Sequence, residues 1–531
     1  MIGSSQMRLS GLMSGLDTDT LVKDLMSAER IPFDKLKQDR EKQLWKSEMY
    51  RQWNTEIYTF RSSTLFDMKL SKSYGTYNVS SGKTDKATGV ATSDALEGTH
   101  TLKINALALS ASFKGTTKID AAKALEAQDT TSVPPYRKLN SDASLTVSVT
   151  DASGTVRTAA VKIDSGDNIK AAVNAFNSAK DAEGESLGLQ AYFDENLQQF
   201  ILKTKETGQS TKITMTADNQ ASREAFYVLG LTANTDTATI PNSFDTSTAA
   251  GTIAQAGQNA NIEFNGTTIT NLTSNTVNLL GVNYTLKDVD TTGFAITVTR
   301  DLDKEVENIK NFISKYNDLL DKLNKAVNEP VYRDYQPLTD EERESLSEKQ
   351  VEQWETRAKS GLLRRDSILS GIVNDMRLHA TSVVNNGSEY NSLSAIGIAS
   401  TSYEDRGKLT INEDKLREVL QKDPEAVKNL FMQDPADAGA GDRGIIQVLH
   451  EDFENAFERL IDKAGVSTSS PGDESVIGEL IQDYEDRIER FENRLLDREN
   501  FYYKKFTALE KALSQFDAQS GWLAQQFGGG A

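Results

Sequence analysis

The chain has 531 residues, 37% of them hydrophobic, enough for three or four domains with cores of their own. Its formal net charge is −19 with no clustered Lys/Arg face, which argues against a nucleic-acid binder, and no run approaches the ~18 apolar residues of a membrane span. Cysteine is absent, which excludes disulfides, thiolate metal sites and cysteine nucleophiles.

The first residues, MIGSSQMRLSGLMSG, have neither the basic start nor the continuous apolar core of a secretory signal peptide, so an exported chain of this sequence uses another route. Leu9, Leu12 and Leu16 lie in a Gly-punctuated segment, and Asp17/Thr18 then stand as helix caps before Leu21, Val22 and Leu25. Pro32 is expected to interrupt this helix. Helix-forming residues resume through Phe60 and Leu65, with Met49, Trp53, Ile57 and Phe60 on one face.

From Ser71 to about residue 300 the sequence turns to short alternating segments rich in Thr, Ser, Gly and Asn, the pattern of β-sheet. Thr101–Ala108 alternates as a half-buried strand does. Leu145–Val149 and Val156–Ile163 are expected to pair around Ala152-Ser153-Gly154, and Ala191–Phe193 to pair with Phe200–Lys203. Asn168 caps a short predicted helix with Ile169, Val173 and Phe176 inward, and 234–257 reads as a loop. Asn265-Gly266 between Ile262–Phe264 and Thr267–Thr270 is the strongest hairpin signal, because both residues tolerate the positive φ of a type I′ turn.

Leu302, Val306, Ile309, Ile313, Tyr316, Leu320, Leu323 and Val327 then keep a strict spacing of four and three residues. A charge-laced helix is predicted over 339–359 with Trp354 as its buried anchor, and an amphipathic stretch over Leu362–Ala380. An Ile396/Ile398 strand, a Gly407 turn, a Leu409/Ile411 strand and short helices at Asp414–Leu420 and Pro424–Phe431 follow. Residues 465–473 read as a linker. The last predicted helix, Val476–Phe527, repeats apolar residues from Ile477 through Ile488, Phe491 and Leu495 at the 3.5-residue period of a coiled-coil seam. Its phase slips at Arg498 and resumes at Tyr502 and Phe506.

Motifs of catalysis are missing. His100, His379 and His450 stand far apart in sequence and lack ligand spacing, Ser14 lacks a nucleophile elbow, and there is no Walker loop or G-x-G-x-x-G. Asp288 and Asp290 open like a calcium-binding loop, but Thr299 stands where the bidentate Glu belongs. Neither an enzyme nor a cofactor or metal is expected.

Several stretches resemble one family in collinear order. They are RLSGLMSGLDTDTLVKDLMSAERIP with the following Trp45 and Tyr50–Asn54 helix, GTHTLKINALALSAS, IEFNGTTITNLTSNTVNLLGVNYTLKDV, IKNFISKYNDLLDKLN, SGLLRRDSIL, GKLTINEDKLREVLQKDPEAVKNLF and ALEKALSQFDAQSGWLAQQF. They look like the flagellar filament-capping proteins, the FliD or hook-associated protein 2 family. The resemblance implies a structural cap at the distal tip of the bacterial flagellar filament, extracellular and exported by the flagellar type III secretion system without a cleaved signal peptide. Implied partners are the chain itself in a ring, pentamer favoured, flagellin, the hook–filament junction protein at the start of assembly, and a cytoplasmic export chaperone on the C-terminal helix. The rival reading, an adhesin, binds host mucin or glycan through the β domains; neither reading involves nucleic acid or membrane insertion.

The expected fold is α+β and multidomain, a helical coiled-coil stalk of N-terminal, middle and C-terminal helices carrying two mainly-β domains, one inserted in the other. The expected divisions are a flexible leg at 1–40, a stalk helix at 41–72, a first β domain at 73–111 and 252–300, and an inserted head at 112–251. A stalk helix with a helical and β-hairpin region covers 301–475, and a C-terminal helix and leg 476–531. Leu12, Leu16, Leu21, Val22 and Leu25, with Leu509, Leu513, Phe516, Trp522 and Leu523, are expected to be underburied in the monomer and docked on assembly. Trp53, Ile57, Ile488, Phe491 and Leu495 are expected to hold the three helices together.

Overall fold

A computed structural model describes residues 17–116, 118–128, 138–231, 251–400, 405–436, 439, 441–466 and 473–528. The architecture is α+β, with long N- and C-terminal helices and separate β-sheets. It divides into two compact units, one made of the chain ends up to Tyr74 and from Leu302 on, the other of Gly75–Asp301.

In the second unit every strand pairing is antiparallel. A five-stranded sheet runs in the order Tyr77–Ser81, Asp290–Arg300, Gly98–Ala106, Ala260–Phe264, Thr267–Leu272, and a three-stranded sheet runs Thr276–Leu279, Val282–Leu286, Ala87–Ala91. They share one core around Leu102, Ile104, Ile262, Tyr284 and Ile296. Asn265 and Gly266 take φ of 50° and 80°, the left-handed pair that a tight two-residue hairpin requires.

A separate core holds Ser112–Lys114, Gln199–Thr204 and Leu189–Asp194 in one sheet and Gly251–Ala256, Lys212–Ala217, Ala143–Thr150 and Val156–Ile163 in another. The helix Ile169–Ser178, capped by Asn168, buries Ile169, Ala172 and Phe176 in it. Part of the expected 234–257 loop is therefore strand. Gly251–Ala256 pairs along Lys212–Ala217 as the sheet edge, where Ile253, partly buried against the core, is the single large apolar residue and gives little alternation to read. Residues 232–250 lie outside the described residues.

The helical unit begins with α1, Thr18–Thr59, 42 residues capped by Asp17, whose carboxylate accepts from the Thr20 N–H. Pro32 does not interrupt it. The proline and Ala28, whose carbonyl loses its helical donor, are both exposed, so water replaces the missing bond, while Met26 and Phe33 on the other face stay packed. The chain continues through a π-helical turn at Phe60–Leu65.

The middle helix α2, Leu302–Asn328, buries all of Val306, Ile309, Ile313, Tyr316, Leu320, Leu323 and Val327. Two short helices follow, α3 (Asp340–Ser345) and α4 (Glu348–Lys359). The single helix expected over 339–359 is broken because the Ser347 N–H donates to the Gln350 side chain and starts α4 anew. Trp354 is half-buried rather than fully enclosed, its indole N–H donating to the Gln336 carbonyl at 2.8 Å.

Next come α5 (Ser367–His379), a two-stranded bridge Ile398–Ala399 with Thr410–Ile411, α6 (Glu413–Lys422) and α7 (Pro424–Met432). Then α8, Ile445–Ala464, supplies a helix that the sequence reading omitted, although Ile445, Leu449, Phe453, Ala456, Leu460 and Ala464 mark its buried face. The chain ends in α9, Val476–Phe527.

One core joins the end of α1 (Tyr50, Ile57), the π-helical turn (Phe60, Leu65), α2, and α5 through α8. The middle helix was expected to pack along the C-terminal helix, but α2 lies against α5, α6 and the π-helical turn, and α9 lies against α1 and α8. α8 is the reason, since Phe453 takes the ring face of Phe60 at 5.1 Å and Phe457 that of Tyr58 at 5.6 Å. From α9 only Ile477 and, partly, Ile481 enter this core. Phe453→Ala, removing a wholly buried ring, is expected to destabilise the helical unit by about 3–5 kcal/mol. Denaturant unfolding followed by helical circular dichroism checks this, with the β unit's transition unmoved.

Candidate functional site

The feature that sets this molecule apart is the pairing of its two longest helices and where that pairing stops. Ser475 starts α9 by accepting from the Gly478 N–H, and Asp473 beside it accepts from the Ser475 N–H and from Arg51 of α1 at 3.0 Å. Arg40 meets Glu485 at 3.3 Å, Phe33 meets Phe491 with ring centroids 6.0 Å apart, and Tyr502 donates to Glu29 at 3.1 Å. As numbering falls on α1 it rises on α9, so the two are antiparallel.

Val22, Met26, Phe33 and Leu495 are buried in this seam, and Ile488, Phe491, Tyr502, Tyr503 and Phe506 are half-covered beside it. Arg498, at the phase slip, points to Glu29 at 3.9 Å, a pair between half-exposed side chains that contributes little. Two helices enclose a seam less completely than a bundle does, which is why only Ile477 and Leu495 of α9 are buried.

The cover ends where the described part of α1 ends. Between Thr507 and Gly528 only Glu510 and Ser514 are half-buried and every other residue is exposed, including Leu509, Leu513 and Leu523. Phe516 is 66% and Trp522 59% exposed. These apolar residues form a bare helical stripe about three to four turns long or more.

Among the residues expected to be underburied, Leu21 and Leu25 do face solvent, but Val22 does not, at 2% exposure. It lies a third of a turn around α1 from Leu21, on the side that α9 covers. Leu12 and Leu16 lie outside the described residues. Ile57 is fully buried and Trp53 partly so, but in the core with α2 and α8, not opposite Ile488, Phe491 and Leu495, whose neighbours on α1 are near Glu29–Arg40. Met26 and Phe33 were not singled out from the sequence, though Met26 stands four residues after Val22 and Phe33 seven after Met26, the spacing of a seam. Also missed were Arg487, Arg490 and Arg494, which with Lys35 line a groove beside the seam.

Among the described residues no group of three His, Asp or Glu is gathered as a metal would need, and no helix is long and apolar enough to cross a membrane. His100 is buried, stacked on Phe264 at 5.4 Å, and His379 pairs with Asp452 at 2.8 Å. Asp290, in the calcium-like loop, is occupied by Lys83 and the Gly293 N–H.

Residues 14–111 match the model of the flagellar hook-associated protein 2 N-terminus and residues 257–518 that of its C-terminus, together well over half of the chain. The chain belongs to the flagellar hook-associated protein 2 (FliD) family. The flagellar hook-associated protein 2 of Halalkalibacterium halodurans is 28% identical, over 98% of this chain and all of that relative. That of Escherichia coli is 22% identical over 97% of each. The crystal structure of the flagellar cap protein FliD D1-D2-D3 domains from Escherichia coli shares the fold, with a TM-score of 0.52 at 19% identity over 82% of this chain and 99% of that one.

Leu495→Asp places a carboxylate in the α1–α9 seam and is expected to cost about 3 kcal/mol there. Hydrogen exchange then quickens in 18–40 and 484–506 while the core around Ile57 stays protected.

Proposed function

We propose that this chain caps the distal tip of a bacterial flagellar filament as a ring-like oligomer, pentamer favoured, which promotes insertion and polymerisation of exported flagellin and prevents its loss. The observation that carries the reading is the bare stripe from Leu509 to Leu523 on a helix otherwise paired with α1, in a chain of this family. A stripe of that length exposed to water is favourable to cover, at roughly 25 cal/mol per Å². An isolated helical end of about twenty residues is marginal in water, so docking it costs ordering entropy and each contact is weakened. Contacts of that strength suit a cap that lets go as each flagellin subunit enters.

The same stripe needs cover before export. A helical cytoplasmic chaperone on α9 fits that need, and the hook–filament junction protein offers the first docking surface once the chain has left the cell through the flagellar type III secretion system without signal cleavage. The rival reading, an adhesin for host mucin or glycan, needs only Gly75–Asp301 and leaves the stripe unexplained.

Phe516→Ser with Trp522→Ser and Leu523→Ser removes the stripe at positions that pack on nothing described, so the fold is expected to persist. In cells lacking the native protein this variant is expected to give short or absent filaments with flagellin shed into the medium, while tagged wild-type protein labels filament tips alone. Filaments of normal length from the variant, or label along the filament, contradict the reading.

A further inference from the structure

The chain is acidic overall, yet one level of its helical unit is strongly basic. Arg487, Arg490 and Arg494 of α9 recur at three and four residues and so share a face. With Lys35 of α1 they line a groove of about 590 Å³ that also takes in Pro32, Leu36 and Phe491. Asp39 is the one carboxylate among its lining residues, and it is engaged by Lys42 at 3.4 Å. The Arg494 guanidinium lies 3.9 Å from the Phe491 ring centroid. Arg487 reaches Asp483 only at 3.5 Å, with both side chains about half exposed. The cations thus outnumber the anions in a groove open to solvent.

Across α1 at the same level the charge reverses. Lys37 pairs with Asp340 at 2.8 Å and the Gln38 side chain donates to the Pro337 carbonyl at 2.8 Å, which sets α3 against α1. At about 100° per residue, Lys37 lies roughly 140–160° around α1 from Pro32, Lys35 and Asp39, while Gln38 is only about 60° from Lys35. Glu341, Glu342 and Glu344 of α3 are all exposed. Burial raises the Asp34 carboxyl above its ordinary range against the lowering by Lys37 and Arg30, with smaller raising contributions from Asp340 and Glu341, and Asp340, Glu341, Glu342 and Glu344 against Arg343 leave α3 with an excess of negative charge.

We propose that the acidic α3 of one copy of this chain docks through Glu341 and Glu344 into the Lys35–Arg487–Arg490–Arg494 groove of a second copy. The two patches are different surfaces, so the contact is heterologous and leaves each copy with one patch free for the next. Repetition of such a contact closes into a ring when the rotation per copy allows. The complementary charges also steer the approach and fix its register more than they add raw affinity. The proposal rests on the ring reading above only in needing a second copy, and its test separates the two.

The test uses the full-length chain in sedimentation velocity over a range of concentration and salt. Three variants are compared with wild type: Glu341→Lys with Glu344→Lys, Arg490→Glu with Arg494→Glu, and all four together. The substitutions leave the Lys37–Asp340 pair and the Thr339–Glu342 capping box in place. Each reversed pair is expected to weaken self-association about tenfold or more, and the four together to restore most of it. Wild-type association is expected to fall as salt rises. If a reversed pair lowers the melting temperature, the neutral pairs Glu341→Gln with Glu344→Gln and Arg490→Gln with Arg494→Gln supply the same weakening without new charge. Oligomers that persist unchanged in either pair, or that the fourfold variant fails to restore, overturn this surface and leave the ring reading standing. A wild-type chain that stays monomeric throughout overturns both.

Discussion

The antiparallel pairing of α1 with α9 is the interaction on which the helical unit's outer half depends. Val22, Met26 and Phe33 form one cluster there with Leu495, with Ile488, Phe491, Tyr502, Tyr503 and Phe506 packed against it. α9 is 52 residues long, roughly 80 Å at 1.5 Å per residue. Its first turns enter the main core through Ile477, its middle pairs with α1, and its last five turns or so lie beyond the described part of α1. One helix therefore passes from a turn that enters the core to a largely exposed end along its length. Stability is graded accordingly, and the end free to bind is the end that contributes least to holding the fold.

Periodicity showed which residues form a stripe, and it was silent on which helix covers that stripe. All seven residues from Val306 to Val327 proved buried, and the Asn265-Gly266 turn took the backbone its residues favour. Ile57 and Phe491 likewise sit on real stripes, yet they face different partners, because α8 occupies the place on α1 that α9 was expected to take. Leaving Ile445–Ala464 unread cost the reading its largest single error, and the apolar spacing was there to be seen. Pro32 misled for a different reason. A proline's penalty is local, and packing of Met26 and Phe33 on either side of it, with the freed carbonyl open to water, outweighs one lost hydrogen bond. The strand Gly251–Ala256 is hidden in the sequence because an edge strand with one large apolar residue, Ile253, owes its place mostly to the neighbour it pairs with.

The sequence is expected to carry no clustered Lys/Arg face, and the gathering of Lys35, Arg487, Arg490 and Arg494 corrects this. The sum of −19 conceals a basic groove whose arginines are interleaved with glutamates and aspartates along α9 and are gathered on one flank only when the helix is wound. An average acidic surface keeps such a chain soluble, and the local reversal gives a second acidic copy somewhere specific to go.

The claim that most of this account rests on is that α9 beyond Phe506 is uncovered in the free chain and covered in the assembled one. Hydrogen exchange on the full-length chain, first as a verified monomer and then as the oligomer, measures this directly. The account predicts near-unprotected exchange over 507–527 in the monomer, slower exchange over 484–506, and marked protection of 507–527 after assembly. Strong protection of 507–527 in the monomer, or none after assembly, would contradict it.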